Sequence, residues 1–253
     1  MAELKELTPD DHGDLKIALD CAIKVAKSQH LINLKVNEVG NAATNFAIFF
    51  TKVSDDTNWA VSAITSFELN ANLFVKDDKW QATYQPTGMQ TYPFFFMKSP
   101  RKEGDITMGI DQDNDAFSTE SGEPLFGEDG KASVHLSRVT AQLQSDINNE
   151  IHTHQFAKKL DELELIKPMD LQVQYADGSV NTLQGLCTID EQKLQDFDEK
   201  VIHDLHKLGY LPAIYAMLIS IYQLNNMIKL HNEHDLPKKV VQVKLEVPKE
   251  PQA

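Results

Sequence analysis

The stretch Trp59-Ala-Val-Ser-Ala-Ile-Thr-Ser-Phe67 alternates large apolar residues with small or polar ones, which is typical of a half-buried β-strand. It follows Phe46-Ala-Ile-Phe-Phe50, a continuous apolar run that indicates a fully buried strand. The polar residues Asp55-Asp-Thr-Asn58 lie between the two and predict a turn. The sequence therefore predicts a β-hairpin, formed by residues 46–67.

Three other regions have clear patterns. Ser133 predicts a helix N-cap, and apolar residues recur at helical spacing from there to about Leu165. Asp177-Gly178 separates two alternating segments, 171–175 and 180–187, and predicts a second β-hairpin. Residues 211–230 are apolar on nearly all sides, so we expect the helix that they form to be deeply buried.

These elements predict an α+β fold, in which a mostly antiparallel sheet packs against a long helix and a buried C-terminal helical segment. The 171–187 hairpin either joins the central sheet or forms a small second one. We expect residues 1–235 to form a single domain, because 253 residues suffice for one large domain. Residues 240–247 have a pattern that permits a strand, but Pro248 and Pro251 predict that residues 236–253 form a loosely attached tail.

The composition excludes several classes of protein. The formal net charge is -14, and the arginines are Arg101 and Arg138, whereas a nucleic-acid-binding surface needs a basic stripe. The longest apolar run, 211–222, is shorter than the roughly 20 residues of a membrane-spanning helix. The first residues lack the apolar core of a signal peptide, and the chain has only two cysteines. We therefore expect a cytoplasmic protein with reduced thiols.

Residues 80–93 do not fit a regular element, since two prolines and a glycine disfavour a central strand. One interpretation is that their aromatic side chains belong to the core. The other is that they line a peptide-binding groove, because Trp and Tyr are frequent anchors at interfaces, with the acidic loop 111–131 as its rim. On the second interpretation the partner-binding residues are Trp80, Tyr84, Pro86, Tyr92, Asp111, Asp113 and Glu123.

The acidic loop also resembles a calcium-binding loop in part. Asp111, Asp113 and Asp115 alternate as the first ligands of an EF-hand do, but Ala116 and Gly122 stand where that loop has glycine and glutamate. We favour a solvated acidic loop, and a recognition loop for a cationic partner is the second interpretation. The sequence therefore predicts no cofactor.

Catalytic patterns are weak in this sequence. His203 with His206, and His231 with His234, have spacings at which each pair can offer two metal ligands. Cys187 lies in a predicted strand, and we interpret it as a buried structural thiol. The sequence contains no nucleophile-elbow, phosphate-loop or dinucleotide motif. It therefore assigns no catalytic residue and no metal ligand.

Several short segments within residues 40–232 carry a family resemblance. They are Phe49-Phe-Thr-Lys52, Asn72-Leu-Phe-Val75, Trp80 with Tyr84-Gln-Pro86, Tyr92-Pro-Phe94, Ile110-Asp-Gln-Asp113, Gly122-Glu-Pro-Leu-Phe126, Gly185-Leu-Cys-Thr-Ile-Asp-Glu191, and Leu205-His206 with Gly209-Tyr-Leu211. In these segments the chain resembles the SapC-like family of bacterial proteins. The resemblance implies a connection with bacterial surface layers (S-layers). It also implies a neighbourhood of flavin-dependent halogenases, cupin-like oxygenases and TonB-dependent receptors, and it supplies no catalytic residues.

We therefore expect a non-catalytic accessory protein that binds a protein or peptide in a bacterial surface-layer or protein- or peptide-modification pathway. The resemblance points to a halogenase, a cupin-like oxygenase or a TonB-dependent receptor system as the partner. Two alternatives stay open. One is a metal-dependent enzyme that uses the histidine pairs, and the other is a structural component of an S-layer.

Overall fold

The computed structural model describes residues 4–52, 59–101 and 105–248. The strands in chain order are β1 (Lys5–Glu6), β2 (Lys16–Ile17), β3 (Leu31–Leu34), β4 (Ala47–Lys52), β5 (Trp59–Ile64), β6 (Val75–Lys76), β7 (Lys79–Trp80), β8 (Phe94–Lys98), β9 (Ile106–Ile110), β10 (Phe117–Ser118), β11 (Glu123–Pro124), β12 (Ile166–Tyr175), β13 (Val180–Ile189) and β14 (Val240–Glu246). The helices are α1 (Pro9–His12), α2 (Cys21–Ala26), α3 (Val39–Ala42), α4 (Thr87–Thr91), α5 (Val134–Glu162), α6 (Glu191–Gln195), α7 (Glu199–Lys207), α8 (Leu211–Ser220) and α9 (Gln223–Glu233), with a 3-10 turn at Val36–Glu38. The predicted turn at residues 55–58 lies outside the described residues.

The chain forms two compact units. Unit 1 contains the residues up to Ala26 together with Thr87–Asn148, and unit 2 contains Lys27–Pro86 and the residues from Asn149 onward. Helix α5 therefore begins in unit 1 and ends in unit 2. The single domain expected for residues 1–235 stays a prediction.

Unit 2 is built on a six-stranded antiparallel sheet with the order β14-β12-β13-β4-β5-β3. The first predicted hairpin is β4–β5, and the second is β12–β13. The second hairpin joins the central sheet, because Leu186 and Cys187 of β13 pair with Thr51 and Phe50 of β4. The sheet and its helices confirm the predicted α+β class.

The core of unit 2 lies between this sheet and the helices. Phe50 of β4 stacks on Phe156 of α5, with ring centroids 5.9 Å apart. Ile48, also in β4, donates its backbone N–H to Ser220 Oγ at the end of α8, at 3.0 Å. Both phenylalanines and Ile48 are fully buried. The long helix and the C-terminal helical segment therefore pack on the strand that the sequence identified as the most buried.

Unit 1 has short strands in two small antiparallel sheets, β1-β9-β8 and β10-β2-β11. Ile17, Phe94, Ile110 and Leu125 form its core, and the first half of α5 contributes apolar side chains to the same cluster. Gly122 has a φ of 119°, and a Cβ atom there would lie 2.6 Å from the carbonyl oxygen of Ile17. The position therefore requires glycine for both conformation and space.

The C-terminal segment differs from the predicted loose tail. Residues Val240–Glu246 form β14, which pairs with β12 from Asp170↔Glu246 to Tyr175↔Val240. Val243 and Leu245 pack against the core, next to the buried Val173 and Leu171 that they pair with. The apolar side chains of 240–246 thus attach the segment to the sheet, and the prediction of a loose tail is wrong for these residues.

Candidate protein-binding surface

Helix α8 is attached to the sheet by one side. Ala213, Ile214, Met217 and Ser220 are buried on that side. The Ser220 hydroxyl accepts the Ile48 N–H and donates to the Met217 carbonyl at 2.6 Å. This hydroxyl links the C-terminal end of α8 to β4 and fixes the rotation of the helix about its own axis.

A short connection sets the position of α8 relative to α7. Asp198 caps α7 by accepting the Val201 N–H at 2.9 Å. Gly209, with a φ of 72°, follows the helix in the left-handed conformation that favours glycine. Pro212 then lies in the first turn of α8, where its missing N–H costs no helical hydrogen bond. Gly209 and Pro212 therefore mark the end of α7 and the start of α8.

The opposite side of α8 is apolar and exposed. Tyr215 and Ile219, which are 51% and 65% exposed, lie four residues apart on one face of α8. Tyr222, which is 74% exposed, follows in the turn between α8 and α9. We call these three residues the α8 face. Leu208, at the end of α7, is also 45% exposed. The prediction that 211–230 is deeply buried is therefore wrong for this face, because the sheet covers only one side of the helix.

An apolar groove of about 460 Å³ lies at the start of α8, and we call it the α7–α8 groove. It is lined by Phe197, Glu199, Ile202, His203, His206 and Leu211. Leu211 is the first residue of α8, so the groove adjoins the N-terminal end of that helix. Its wall is apolar but also contains two imidazoles and one carboxyl group. It therefore suits a ligand that inserts an apolar side chain and has a polar group next to it.

The histidine pairs have different environments. His203 and His206 both line the α7–α8 groove. His231 and His234 instead donate from Nε2 to backbone carbonyl oxygens, at 3.0 and 2.9 Å, which indicates a structural role. Across the parts of the chain that the structure describes, no three His, Cys, Asp or Glu side chains are grouped where they could hold a metal ion. Among the described residues, the histidine-based alternative therefore rests on His203 and His206.

Three of the partner-binding residues predicted from sequence lie in unit 2. The Trp80 indole N–H donates to the Tyr84 carbonyl at 2.9 Å, and the Tyr84 hydroxyl donates to Glu38 Oε2 at 2.6 Å. The Trp80 ring lies 6.0 Å from that of Phe46, and Pro86 is buried. Their polar groups are bonded within the fold, as the core interpretation of residues 80–93 expects.

The other four predicted residues lie in unit 1. The Tyr92 hydroxyl accepts the Asn114 side-chain N–H at 2.7 Å. Asp111 Oδ1 accepts the backbone N–H of Asp113 at 3.1 Å, which forms a local turn in the acidic loop. Glu123 is partly buried in β11, which pairs with β2. The seven predicted residues thus divide between the two units, and their role in partner binding stays a prediction.

Unit 1 has a larger groove of its own, of about 780 Å³. It is lined by Pro9, Gly13, Asp14, Lys16, Thr119, Pro124, Phe126, Gly127, Glu128 and Gly130. The charges on its wall are of both signs, so they do not select a ligand of one charge. The sequence predicted a functional loop here, but the lining includes none of the seven residues that it assigned to partner binding.

The two cysteines are buried thiols. Desolvation by burial raises the pKa of Cys187 to about 11, although nearby Lys52 opposes the shift. Burial also raises the pKa of Cys21. A nucleophilic cysteine needs a lowered pKa, so these environments disfavour thiolate chemistry at neutral pH.

A model of the SapC family matches residues 7–227. The chain belongs to the SapC family. The matched range includes the α7–α8 groove and all of α8, and it ends before β14. No curated protein and no solved structure matches the chain.

The helices described for this SapC-family protein include none with the length and apolar character needed to cross a membrane. Residues 211–222, the most apolar run, are instead divided between α8, with one side against the sheet, and the short turn that follows it.

Sequence reasoning missed the α8 face as a candidate site in this SapC-family protein. The signal was present, because a helix that is apolar all round needs a covering on every side. The sequence does not show how many sides the rest of the chain covers. In the structure, Ile214 and Met217 are buried, whereas Tyr215 and Ile219 of the same helix are exposed.

Proposed function

We propose that this SapC-family protein is a non-catalytic accessory protein that binds another protein or a peptide through the α8 face and the α7–α8 groove. We place it in the cytoplasm and in a bacterial surface-layer or protein- or peptide-modification pathway. Family membership supports the pathway, and the exposed surface supports the binding activity.

The α8 face is the observation that carries the proposal. Exposed apolar residues scattered singly are ordinary, whereas a contiguous row of them marks an interaction surface more often. Tyr215 and Tyr222 flank Ile219 in such a row. Tyrosine is enriched among the residues that contribute most to binding energy, since it offers a large area and fixes few rotamers.

The shape of the surface indicates the form of the partner. Helix α8 has ten residues and is about 15 Å long, at roughly 1.5 Å per residue. A partner helix of about three turns with an apolar stripe can cover such a face. The adjoining groove can then hold one apolar side chain from that helix, between Phe197 and Leu211. We therefore propose an amphipathic helix of another protein as the ligand.

Partner capture by matched variants tests this proposal. Tagged wild-type protein is purified gently from its bacterial host, and co-purifying proteins are identified by mass spectrometry. Halogenases, cupin-like oxygenases and TonB-dependent receptor systems are the partners to examine first. We expect Ile219→Glu to weaken binding of the purified partner at least about tenfold, since it places a charge in the centre of an apolar contact.

The control is Val180→Glu, which introduces the same charge at a residue that is 56% exposed on the β12–β13 hairpin. We expect this variant to bind as the wild type does. Both variants are checked for unchanged circular dichroism and thermal unfolding. Equal partner binding by Ile219→Glu and wild type would contradict the proposed surface, and substrate turnover by the isolated protein would contradict the non-catalytic role.

The metal-dependent alternative has one supporting feature, the two imidazoles in the α7–α8 groove. It predicts stoichiometric zinc or iron in protein purified without chelator or histidine tag. Loss of that metal in a His203→Ala/His206→Ala variant would favour the enzyme over the binding protein. The S-layer component has no supporting feature in the described residues, and cell fractionation tests it directly.

A further inference from the structure

Strand β14 leaves one edge of the unit 2 sheet open. Among the described residues it pairs with β12 on one side, and no described strand pairs with it on the other. The Asn232 side chain bonds both the N–H and the C=O of Val240, each at 2.8 Å. The start of the edge is therefore covered, and the open part runs from residue 243 to residue 247. An open edge of this length is a template for pairing with another strand.

Backbone alternation decides which groups of β14 face outward. In β12, Tyr175 donates its N–H towards the β13 side, to the Ser179 carbonyl at 2.9 Å. Successive residues in an antiparallel ladder direct their N–H and C=O groups to alternate neighbours, so the even-numbered residues 170–174 direct theirs to β14. Their partners in register are Gln242, Lys244 and Glu246. The residues of β14 with N–H and C=O groups on the open side are therefore Val243 and Leu245, and continuing the alternation past the end of the strand adds Val247.

We infer that two copies of this chain associate through β14, antiparallel, about a two-fold axis at Leu245, so that their sheets become continuous. In this register Leu245 lies opposite Leu245 of the second copy, and Val243 lies opposite Val247 of the second copy. Each of these pairs brings outward backbone groups together and exchanges two hydrogen bonds. Edge pairing requires that residues with outward N–H and C=O groups lie opposite each other, and this axis meets that requirement.

Charge selects this register over its neighbours. With the axis at Leu245, Lys244 of each copy faces Glu246 of the other, at close pairs between the hydrogen-bonded ones. An axis at Lys244 would place the two Lys244 side chains opposite each other, and an axis at Glu246 would do the same with the two Glu246 side chains. In both cases like charges would be in contact. An axis at Val243 would leave Lys244 opposite Gln242. In the described residues Lys244 is exposed and has no ion pair of its own, so it is available for this contact.

The apolar side of the edge also matches a second copy. Val243 and Leu245 point to the core side of the sheet and are partly buried there. Val247, which follows the strand with the same alternation, is 57% exposed. Pairing would place Val243 of the second copy beside it and reduce that exposure. The interface is small, so we expect a Kd of about 10–100 µM, which is typical of weak association.

Sedimentation equilibrium of the full chain tests the inference. In about 0.15 M salt, where charges more than about 8 Å apart are screened, we expect a reversible increase towards twice the 28.5 kDa of one chain. Lys244→Glu and Glu246→Lys should each raise the Kd roughly tenfold, because two opposite-charge contacts become like-charge contacts. The double exchange Lys244→Glu/Glu246→Lys should recover dimerisation to within about threefold of wild type.

Two further variants separate edge pairing from other effects. Lys200→Glu changes the net charge as Lys244→Glu does, but on α7, and it should leave the Kd within about twofold of wild type. Val247→Pro removes an outward N–H beyond the end of β14 and should weaken association without loss of the fold, checked by circular dichroism. A chain that stays monomeric up to roughly 500 µM would overturn the inference, since that concentration lies well above the expected Kd. A dimer unaffected by Lys244→Glu and Val247→Pro would overturn it too, as would an edge that pairs only with a different protein.

Discussion

Replacing Tyr84 by phenylalanine tests whether this residue stabilises the fold or binds a partner. Its hydroxyl donates to Glu38 Oε2 at 2.6 Å, and Glu38 is 3% exposed, so water cannot readily replace the donor. Hydrogen bonds to a charged group contribute about 1.5–3 kcal/mol, and Tyr84→Phe removes the oxygen without opening a large cavity. We therefore expect the free energy of unfolding to fall by about 1.5–3 kcal/mol.

Urea denaturation followed by tryptophan fluorescence measures this change. Both tryptophans, Trp59 and Trp80, lie in unit 2 with Tyr84, so the signal reports on the unit that the substitution affects. Tyr222→Phe is the matched control, because that tyrosine is 74% exposed, and its free energy of unfolding should stay within about 0.5 kcal/mol of wild type. A double-mutant cycle with Glu38→Gln should give a coupling energy of at least about 1 kcal/mol.

A Tyr84→Phe variant as stable as the wild type would show that the hydroxyl contributes nothing to the fold, and would contradict the expected loss. If that variant also bound the partner more weakly, Tyr84 would belong to the peptide-binding groove that the sequence suggested. Loss of stability with unchanged partner binding would support the core interpretation.

Cys187, Gly122 and Gly209 allow further tests of burial and of backbone conformation. In a Cys21→Ala background at pH 8, native Cys187 should react with a thiol reagent at least about a hundredfold more slowly than after unfolding, because a pKa of about 11 instead of 9.0 leaves about a hundredfold less thiolate. A native rate close to the unfolded rate would contradict the burial of this thiol. Gly122→Ala should destabilise unit 1 by more than Gly209→Ala destabilises unit 2, measured by hydrogen exchange. Both positions have positive φ, but only at Gly122 would the new Cβ meet backbone atoms, those of Ile17. Equal effects would show that conformation alone decides the cost.

The proposed binding surface and the residues predicted from sequence differ in how far the fold itself covers them. Trp80 and Tyr84 use their polar groups within unit 2. Ile219 and Tyr222 have large apolar areas that the described fold leaves open. A high density of aromatic residues in a sequence identifies side chains that are stabilised by burial. It does not distinguish burial in the core from burial under a partner.

Local elements with strong periodicity are encoded in short segments of the sequence. The alternation around Trp59, the Asp177-Gly178 turn and the Ser133 cap each predicted an element that the structure contains, since these signals act over a few neighbouring residues. The short apolar pattern at 240–247 was ambiguous, because a strand with prolines beyond it is stable only if a neighbouring strand is available. The SapC family was also recognisable from the sequence, and its model matches residues 7–227.

Where each apolar surface lies depends on contacts between segments that are distant in the sequence. The attachment of β14 depends on β12, about 70 residues earlier in the chain, and no local pattern encodes that pairing. The exposure of the α8 face depends on β4 covering the other side of the helix. Hydrophobicity is a property of each side chain, whereas burial is a property of the space around it. The sequence therefore specified which residues are apolar, and the fold determined which of them stay exposed and available for another molecule.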